Sequence, residues 1–298
     1  MKSGTVAVIG RANAGKSTLV NVLVGEKVSI TSPKPQTTRD RIYGILTTED
    51  YQIVFEDTPG IYKATSALNK RMQRTTRTTA KDVDLILYLI DGHDGVKDED
   101  LQEAAKVSEA TDAPFIAVLT KTDIMPKENI PSALSALSAI VRAKEIIPVS
   151  ARRGTNIKEL LGLIIANLPE GEYLFSPDVV SDKSERFMLA EIMREKILLK
   201  FDKEIPHGVA VVVNDFSKKD NGVYNVDLDI VCEKQNHKAI LIGKNGGALK
   251  EVNKFARESM EKFLGGKVFL TSYVKVKENW RDRPDLLKLY GYSSEDAD

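Results

Sequence analysis

From Thr5 to Leu168, short apolar and β-branched runs alternate with stretches whose apolar residues recur at helical spacing. The runs VAVIG, QIVFEDT, LILYLID, FIAVLTK and EIIPVS carry the near-continuous hydrophobicity of strands covered on both faces. Such strands separated by amphipathic segments predict an α/β fold, a doubly wound and mostly parallel sheet. Ligands of that class bind beyond the carboxyl ends of the strands. Near Pro169 the pattern changes, and Pro169, Gly171 and Pro177 punctuate a polar stretch. Residues 1–170 therefore read as one domain, 171–183 as a linker and 184–298 as a second, α+β domain with a C-terminal tail. The second domain predicts a helix over ERFMLAEIMREKILLKF, then a hairpin of HGVAVVVNDF and GVYNVDLDIVCE turning through KKDNG. A short helix ending at ILIG, a longer one over GALKEVNKFARESMEKFLG and a last strand KVFLTSYVKVKE complete an αββααβ order. No internal repeat is present, and the acidic SSEDAD end reads as a frayed tail.

Composition narrows the class. With 42% hydrophobic and 29% charged residues, and no apolar run near the ~20 residues of a membrane span, the chain predicts a globular protein. The N-terminus runs straight into a strand, without the features of a signal peptide, which predicts a cytoplasmic location. The single cysteine, Cys232, lies in an apolar strand and reads as a small buried hydrophobe. His93, His207 and His237 are too dispersed for a metal-ligand spacing. Phe187, Met188, Ile192, Met193 and Ile197 follow the spacing of a core-facing helix stripe. The formal net charge is zero, yet residues 236–288 hold 12 Lys and Arg against 6 Asp and Glu. That excess suggests a polyanion partner, with a solvated charged face as the plain alternative.

Candidate chemistry begins at GRANAGKST, where Gly10, Arg11, Ala12, Asn13, Ala14, Gly15, Lys16, Ser17 and Thr18 form a phosphate loop between a strand and a helix. Its backbone N–H groups and the helix N-terminus stabilise phosphate charge, Lys16 reaches the β- and γ-oxygens, and Ser17 suits Mg²⁺. In EDTPG, Asp57 can hold the same ion through water and the Gly60 amide can sense a γ-phosphate, beside Thr58 and Pro59. The polar loop TSPKPQTTRDR can bring Thr38 onto the metal, with Thr37 as the alternative. In TKTD, Thr120 and Lys121 precede Asp123, whose carboxylate can accept from the N1–H and exocyclic amine of guanine, donors that adenine lacks there. VSAR, with Ser150, Ala151 and Arg152, would set the Ala151 amide near guanine O6. Together these make GTP or GDP with Mg²⁺ the expected ligands, and Lys16, Thr38 and Gly60 the candidate catalytic residues that the motifs themselves supply.

Those four motifs in that order resemble translation-factor-class GTPases, and GRANAGKST, PQTTRDR and EDTPGI resemble the Era family. Members usually carry Pro and Val at Ala12 and Ala14, and Asn at Thr120; the last departure bears on nucleotide affinity. Ile61 stands where many signalling GTPases place a water-orienting glutamine. The resemblance therefore implies a slow hydrolase in which Asn13 helps hold a K⁺ ion, while Asn13 as a loop-stabilising residue stays equally open.

The αββααβ order with Gly243, Lys244, Asn245 and Gly246 between two helices resembles a type II KH domain, and the resemblance extends over the whole chain. It implies an RNA-binding half. There, small glycines let a single strand approach, Lys244 meets phosphate, Ile242 borders an apolar groove, and Lys250, Lys254 and Arg257 lend charge along the next helix. Tyr62 to Lys81 holds six basic and no acidic residues, a solvated helix or a face for ribosomal RNA. The family implies as partners the small-subunit ribosomal RNA near its 3′ end and the 30S-type particle, in subunit assembly. It also implies a monomer, cytoplasmic, with peripheral association at the inner face of the cell membrane left open. Two other readings stay open: a signalling GTPase whose C-terminal domain binds protein, and an RNA-modifying enzyme gated by GTP.

Overall fold

The computed structural model describes residues 1–60, 66–72, 82–93, 95–109, 111–140 and 143–292. Ile61, most of the basic stretch from Tyr62 to Lys81, and the acidic end at 293–298 lie outside the described residues.

The first unit comprises residues 1–31, 38–63 and 72–182. Its strands are β1 (Lys2–Gly10), β2 (Ile42–Thr47), β3 (Tyr51–Asp57), β4 (Leu85–Asp91), β5 (Phe115–Thr120) and β6 (Glu145–Pro148). They form one sheet in the order β2-β3-β1-β4-β5-β6. Every neighbour pair is parallel except β2 with β3. Strand alternation divides the core in two. Val6, Val8, Leu85, Leu87 and Leu89 point to one face, under Leu19, Leu23, Leu160 and Ile164. These come from α1 (Lys16–Val24) and α4 (Ile157–Asn167). Ala7, Ile9, Ile86, Tyr88 and Ile90 point to the other, under Leu101 and Ala104 of α2 (Asp98–Glu109) and Ala133 and Leu137 of α3 (Ile130–Ile140). Phosphate-loop, EDTPG and TKTD residues all follow the carboxyl ends of β1, β3 and β5.

Strand β2 has no counterpart in the sequence-based expectation. Gly44 interrupts its apolar run and lies close under α1, where a Cβ would meet Val20 Cγ1 at 2.9 Å. Of residues 171–183, expected to be a linker, 171–182 group with the first unit and Lys183 with the second. Leu174 and Phe175 amides donate to Gln52 Oε1, and Ser181 bridges to Gly44. Proline and glycine mark these residues as irregular in backbone, which is a different property from being detached.

The second unit comprises residues 32–37, 64–71 and 183–298. It runs α5 (Glu185–Lys200), β7 (Ala210–Lys218), β8 (Tyr224–Cys232), α6 (Gln235–Ile242), α7 (Gly247–Leu264) and β9 (Val268–Val276). This is the expected αββααβ order, with β7 antiparallel and β9 parallel to the central β8. Leu189, Ile192, Met193 and Ile197 of α5 pack with Val252, Ala256 and Met260 of α7 over Val226, Leu228 and Ile230. Cys232 is fully buried, and burial pushes its thiol pKa up. Beyond β9, a turn at Trp280–Asp282 leads into α8 (Pro284–Leu289). Trp280 is buried, donates through Nε1 to Gly208 O at 2.9 Å and stacks on Tyr292.

Candidate nucleotide site and nucleic-acid interface

The loop from Gly10 to Gly15 turns β1 into α1, with Asn13 and Gly15 at positive φ. Lys16 folds back beneath it and donates from Nζ to the carbonyls of Gly10 and Arg11, both at 3.0 Å. The ammonium is 6% exposed in residue terms, and burial pushes its pKa down to about 8 against the opposing pull of Asp57. Asn13 is exposed and makes no hydrogen bond among the described residues. Arg11 turns away from the loop to pair with Asp100 at 3.3 Å and Glu99 at 3.5 Å, at the start of α2. The apolar pattern could not have indicated that pairing.

Ser17, Thr38 and Asp57 come from three segments and meet. Ser17 Oγ donates to Asp57 Oδ2 at 2.7 Å, lies 2.8 Å from Thr38 Oγ1, and Thr38 Oγ1 is 3.4 Å from the same carboxylate oxygen. Thr37, the alternative, donates its hydroxyl to Lys34 O at 2.6 Å. Burial pushes the Asp57 pKa up, opposed by the Ser17 hydrogen bond and by Lys16. Asp57 Oδ1 is buried without a hydrogen-bond partner. Two hydroxyls and a carboxylate are the oxygen donors that Mg²⁺ takes, and the orphaned oxygen is the charge that such an ion would offset, so this set fits a hard cation. Among the described residues no group of three or more His, Cys, Asp and Glu is placed to hold a metal. Thr58 Oγ1 donates to Val8 O at 2.9 Å and ties this turn to β1. Gly60 presses on the phosphate loop, where a Cβ would stand 2.7 Å from Ala12 Cα. Contact this close admits no side chain.

At the end of β5, Thr120 Oγ1 lies 2.8 Å from Ala14 O and 3.0 Å from Ile90 O. One hydroxyl hydrogen thus serves two carbonyls and tethers the phosphate loop to the sheet. Lys121 pairs with Asp91 at 2.5 Å. Asp123 is exposed and accepts from Ser150 Oγ at 2.7 Å, while Ser150 also receives the Arg153 amide. The VSAR and TKTD turns are thereby held side by side, with Ala151 half-buried and Arg152 exposed.

In the second unit, Lys244–Gly246 form a single turn between α6 and α7. Gly243 has φ +74°, and a Cβ there would lie 2.7 Å from Ala248 Cβ, so the turn requires glycine twice over. Lys244 and Asn245 are exposed at its tip and Ile242 is half-buried. Lys250, Lys254 and Arg257 line one groove between α7 and β9 with Gly247, Asn253, Leu270 and Glu251, the last paired with Lys200 at 2.5 Å. Arg257 also pairs with Glu261 at 3.1 Å, a surface contact of small worth. Sequence reasoning missed Arg194. It is 1% exposed, held by Glu191 through Nε at 2.7 Å, and its guanidinium also donates to the Gln36 and Thr37 carbonyls. A basic residue inside the apolar stripe of α5 was the available signal.

A family model described as 50S ribosome-binding GTPase matches residues 5–121, and one described as KH domain matches residues 204–281. GTPase Era of Clostridium kluyveri is 46% identical over 294 residues, covering 98% of this chain and 99% of its own. GTPase Era of Caldanaerobacter subterraneus is 44% identical, with 98% of each chain covered. Among solved structures, Era in complex with MgGDPNP and nucleotides 1506–1542 of 16S ribosomal RNA has a TM-score of 0.93 at 38% identity, over 99% of this chain and all of that one. An Aquifex aeolicus Era variant bound to GDP·AlF4⁻ has a TM-score of 0.92 at 38% identity, with the same coverage. With both units matched in order and nearly every residue aligned to full-length relatives, the chain belongs to the Era family of GTPases.

Proposed function

We propose that this chain binds and slowly hydrolyses GTP through residues 1–170, and binds small-subunit ribosomal RNA near its 3′ end through residues 184–298, acting in small-subunit assembly. One observation carries the nucleotide half: Ser17, Thr38 and Asp57 converge beside Lys16, leaving Asp57 Oδ1 unpaired. Ser17, Thr38 and Asp57 would hold Mg²⁺, which when bound supplies charge neutralisation to the phosphates. Lys16, now spending its N–H groups on the Gly10 and Arg11 carbonyls, has a buried positive charge suited to β- and γ-phosphate oxygens. Gly60, close against Ala12, brings its amide to the γ-phosphate side of the loop. Asp123 and the Ala151 amide read guanine, and Thr120 holds the loop against β5. The RNA half rests on the likeness to the Era structure that contains ribosomal RNA, together with the GxxG turn and its basic groove.

The test is GTP turnover with Mg²⁺, measured with and without an RNA fragment matching the 3′ end of small-subunit ribosomal RNA, with binding titrated in parallel. Slow turnover and salt-sensitive RNA binding are expected. Absence of Mg²⁺-dependent turnover would remove the first half of the reading, and absence of RNA binding the second. Asn13, exposed and without a hydrogen bond among the described residues, is the residue for K⁺. Replacing Na⁺ by K⁺ at constant ionic strength should raise turnover in the native chain and leave Asn13→Ala unchanged. An equal response of both would exclude it.

A further inference from the structure

The second unit carries two surfaces of opposite chemistry. One is the α7–β9 groove with its Lys250, Lys254 and Arg257. The other is the outer face of the three-stranded sheet. Along β9, Val268 and Val274 enter the core while Phe269 and Tyr273 are 59% and 55% exposed. In register beside them on β8 stand Asn225, Asp227 and Asp229, and Asp215 of β7 lies directly opposite Asp227. Asp215 accepts from Ser217 Oγ at 3.2 Å and Asn225 Nδ2 at 2.9 Å, and Asp227 from Asn214 Nδ2 at 2.9 Å. Neither forms an ion pair among the described residues. Asp229 pairs with Lys275 through Oδ2 at 2.5 Å, and its Oδ1 is buried without a partner.

Like charges directly opposite one another weaken a sheet, and two half-exposed rings add nothing to the core. We propose that the face docks a basic, extended segment of a protein partner, whose Lys or Arg heads lie on Asp215 and Asp227 and over the rings of Phe269 and Tyr273. The chain already shows one such contact, since Lys219 Nζ stands 5.6 Å from the Phe269 centroid. Tyr273 has no comparable cation among the described residues. RNA is disfavoured here, because its phosphates would approach the carboxylates of Asp215 and Asp227, unpaired with any cation among the described residues, whereas the α7–β9 groove offers them cations. A protein held on this face would leave the basic groove free for RNA.

The test uses the full chain and a fluorescein-labelled peptide of about ten residues alternating Lys and Val, with an alternating Glu and Val peptide as control. Fluorescence anisotropy should show saturable, salt-sensitive binding of the basic peptide alone. It should weaken about tenfold in Asp215→Asn/Asp227→Asn, which keeps the Asn214 and Asn225 hydrogen bonds possible. Affinity for the ribosomal RNA fragment should stay unchanged in that variant. Should the double variant unfold, Tyr273→Ser, whose side chain is exposed, must show a similar loss. No saturable binding up to about 1 mM, or equal affinity in native and variant chains, would overturn the proposal. So would loss of RNA affinity with peptide binding intact, which would make the face a nucleic-acid surface.

Discussion

Lys16 is a buried cation that donates to two carbonyls, and burial lowers its pKa to about 8 although Asp57 pulls the other way. Phosphate would favour the charged form and raise that pKa again, so the bound state holds more protons above about pH 8. GTP affinity should therefore decline as pH rises past 8, and calorimetry in buffers of different ionisation heat should show proton uptake near pH 9. Uptake of no proton there would mean that Lys16 is fully charged in the free chain. Unfolding has its own sign: between about 8 and the ordinary 10.5 the unfolded chain binds more protons, so through Lys16 stability rises over that window. Thr120 gives a second test. Thr120→Val removes the hydroxyl shared by Ala14 O and Ile90 O, worth about 1 kcal/mol, and should speed GDP release about fivefold while Thr120→Ser stays near native. Equal release from all three chains would mean that the hydroxyl does not restrain the loop.

At the scale of elements, the turns were easier to read than the strands. GRANAGKST and GKNG demand glycine at fixed places because backbones come close there, and Gly243 against Ala248 shows the reason. Thr38 was separable from Thr37 only in three dimensions, since both hydroxyls follow the same polar loop and differ in which partner they reach. Strand β2 was illegible because its glycine answers to α1 packing, not to the strand pattern. Arg194 was legible only as a basic residue interrupting the apolar stripe of α5; its partners, Glu191 and backbone carbonyls, are not encoded in any periodicity. The GxxG turn carries its own prediction. Asn245 holds φ +52°, which Asp also tolerates, so Lys244→Asp/Asn245→Asp should keep the turn, the melting temperature and GTP affinity. RNA binding should fall below detection, two added negative charges facing phosphates. Native RNA affinity in this variant would place the RNA elsewhere.

Over the whole molecule, the division into an α/β unit and an αββααβ unit was readable because each carries its own hydrophobic period and its own core. The segment after β9 was not, since a turn at Trp280 and the six-residue α8 are too short to display a period. Yet that short segment holds the chain's only tryptophan, enclosed by Tyr290 and Tyr292 in the second unit. The protein is thus built with a single intrinsic fluorophore, and selective tryptophan excitation reports the unfolding of the second unit alone. Circular dichroism reports both. Because the cores are separate, added GDP should raise the temperature of the dichroism transition while leaving the emission midpoint where it was. A joint shift of both signals would instead show that nucleotide binding in one unit is felt as thermal resistance in the other, and the size of the shift would measure how strongly.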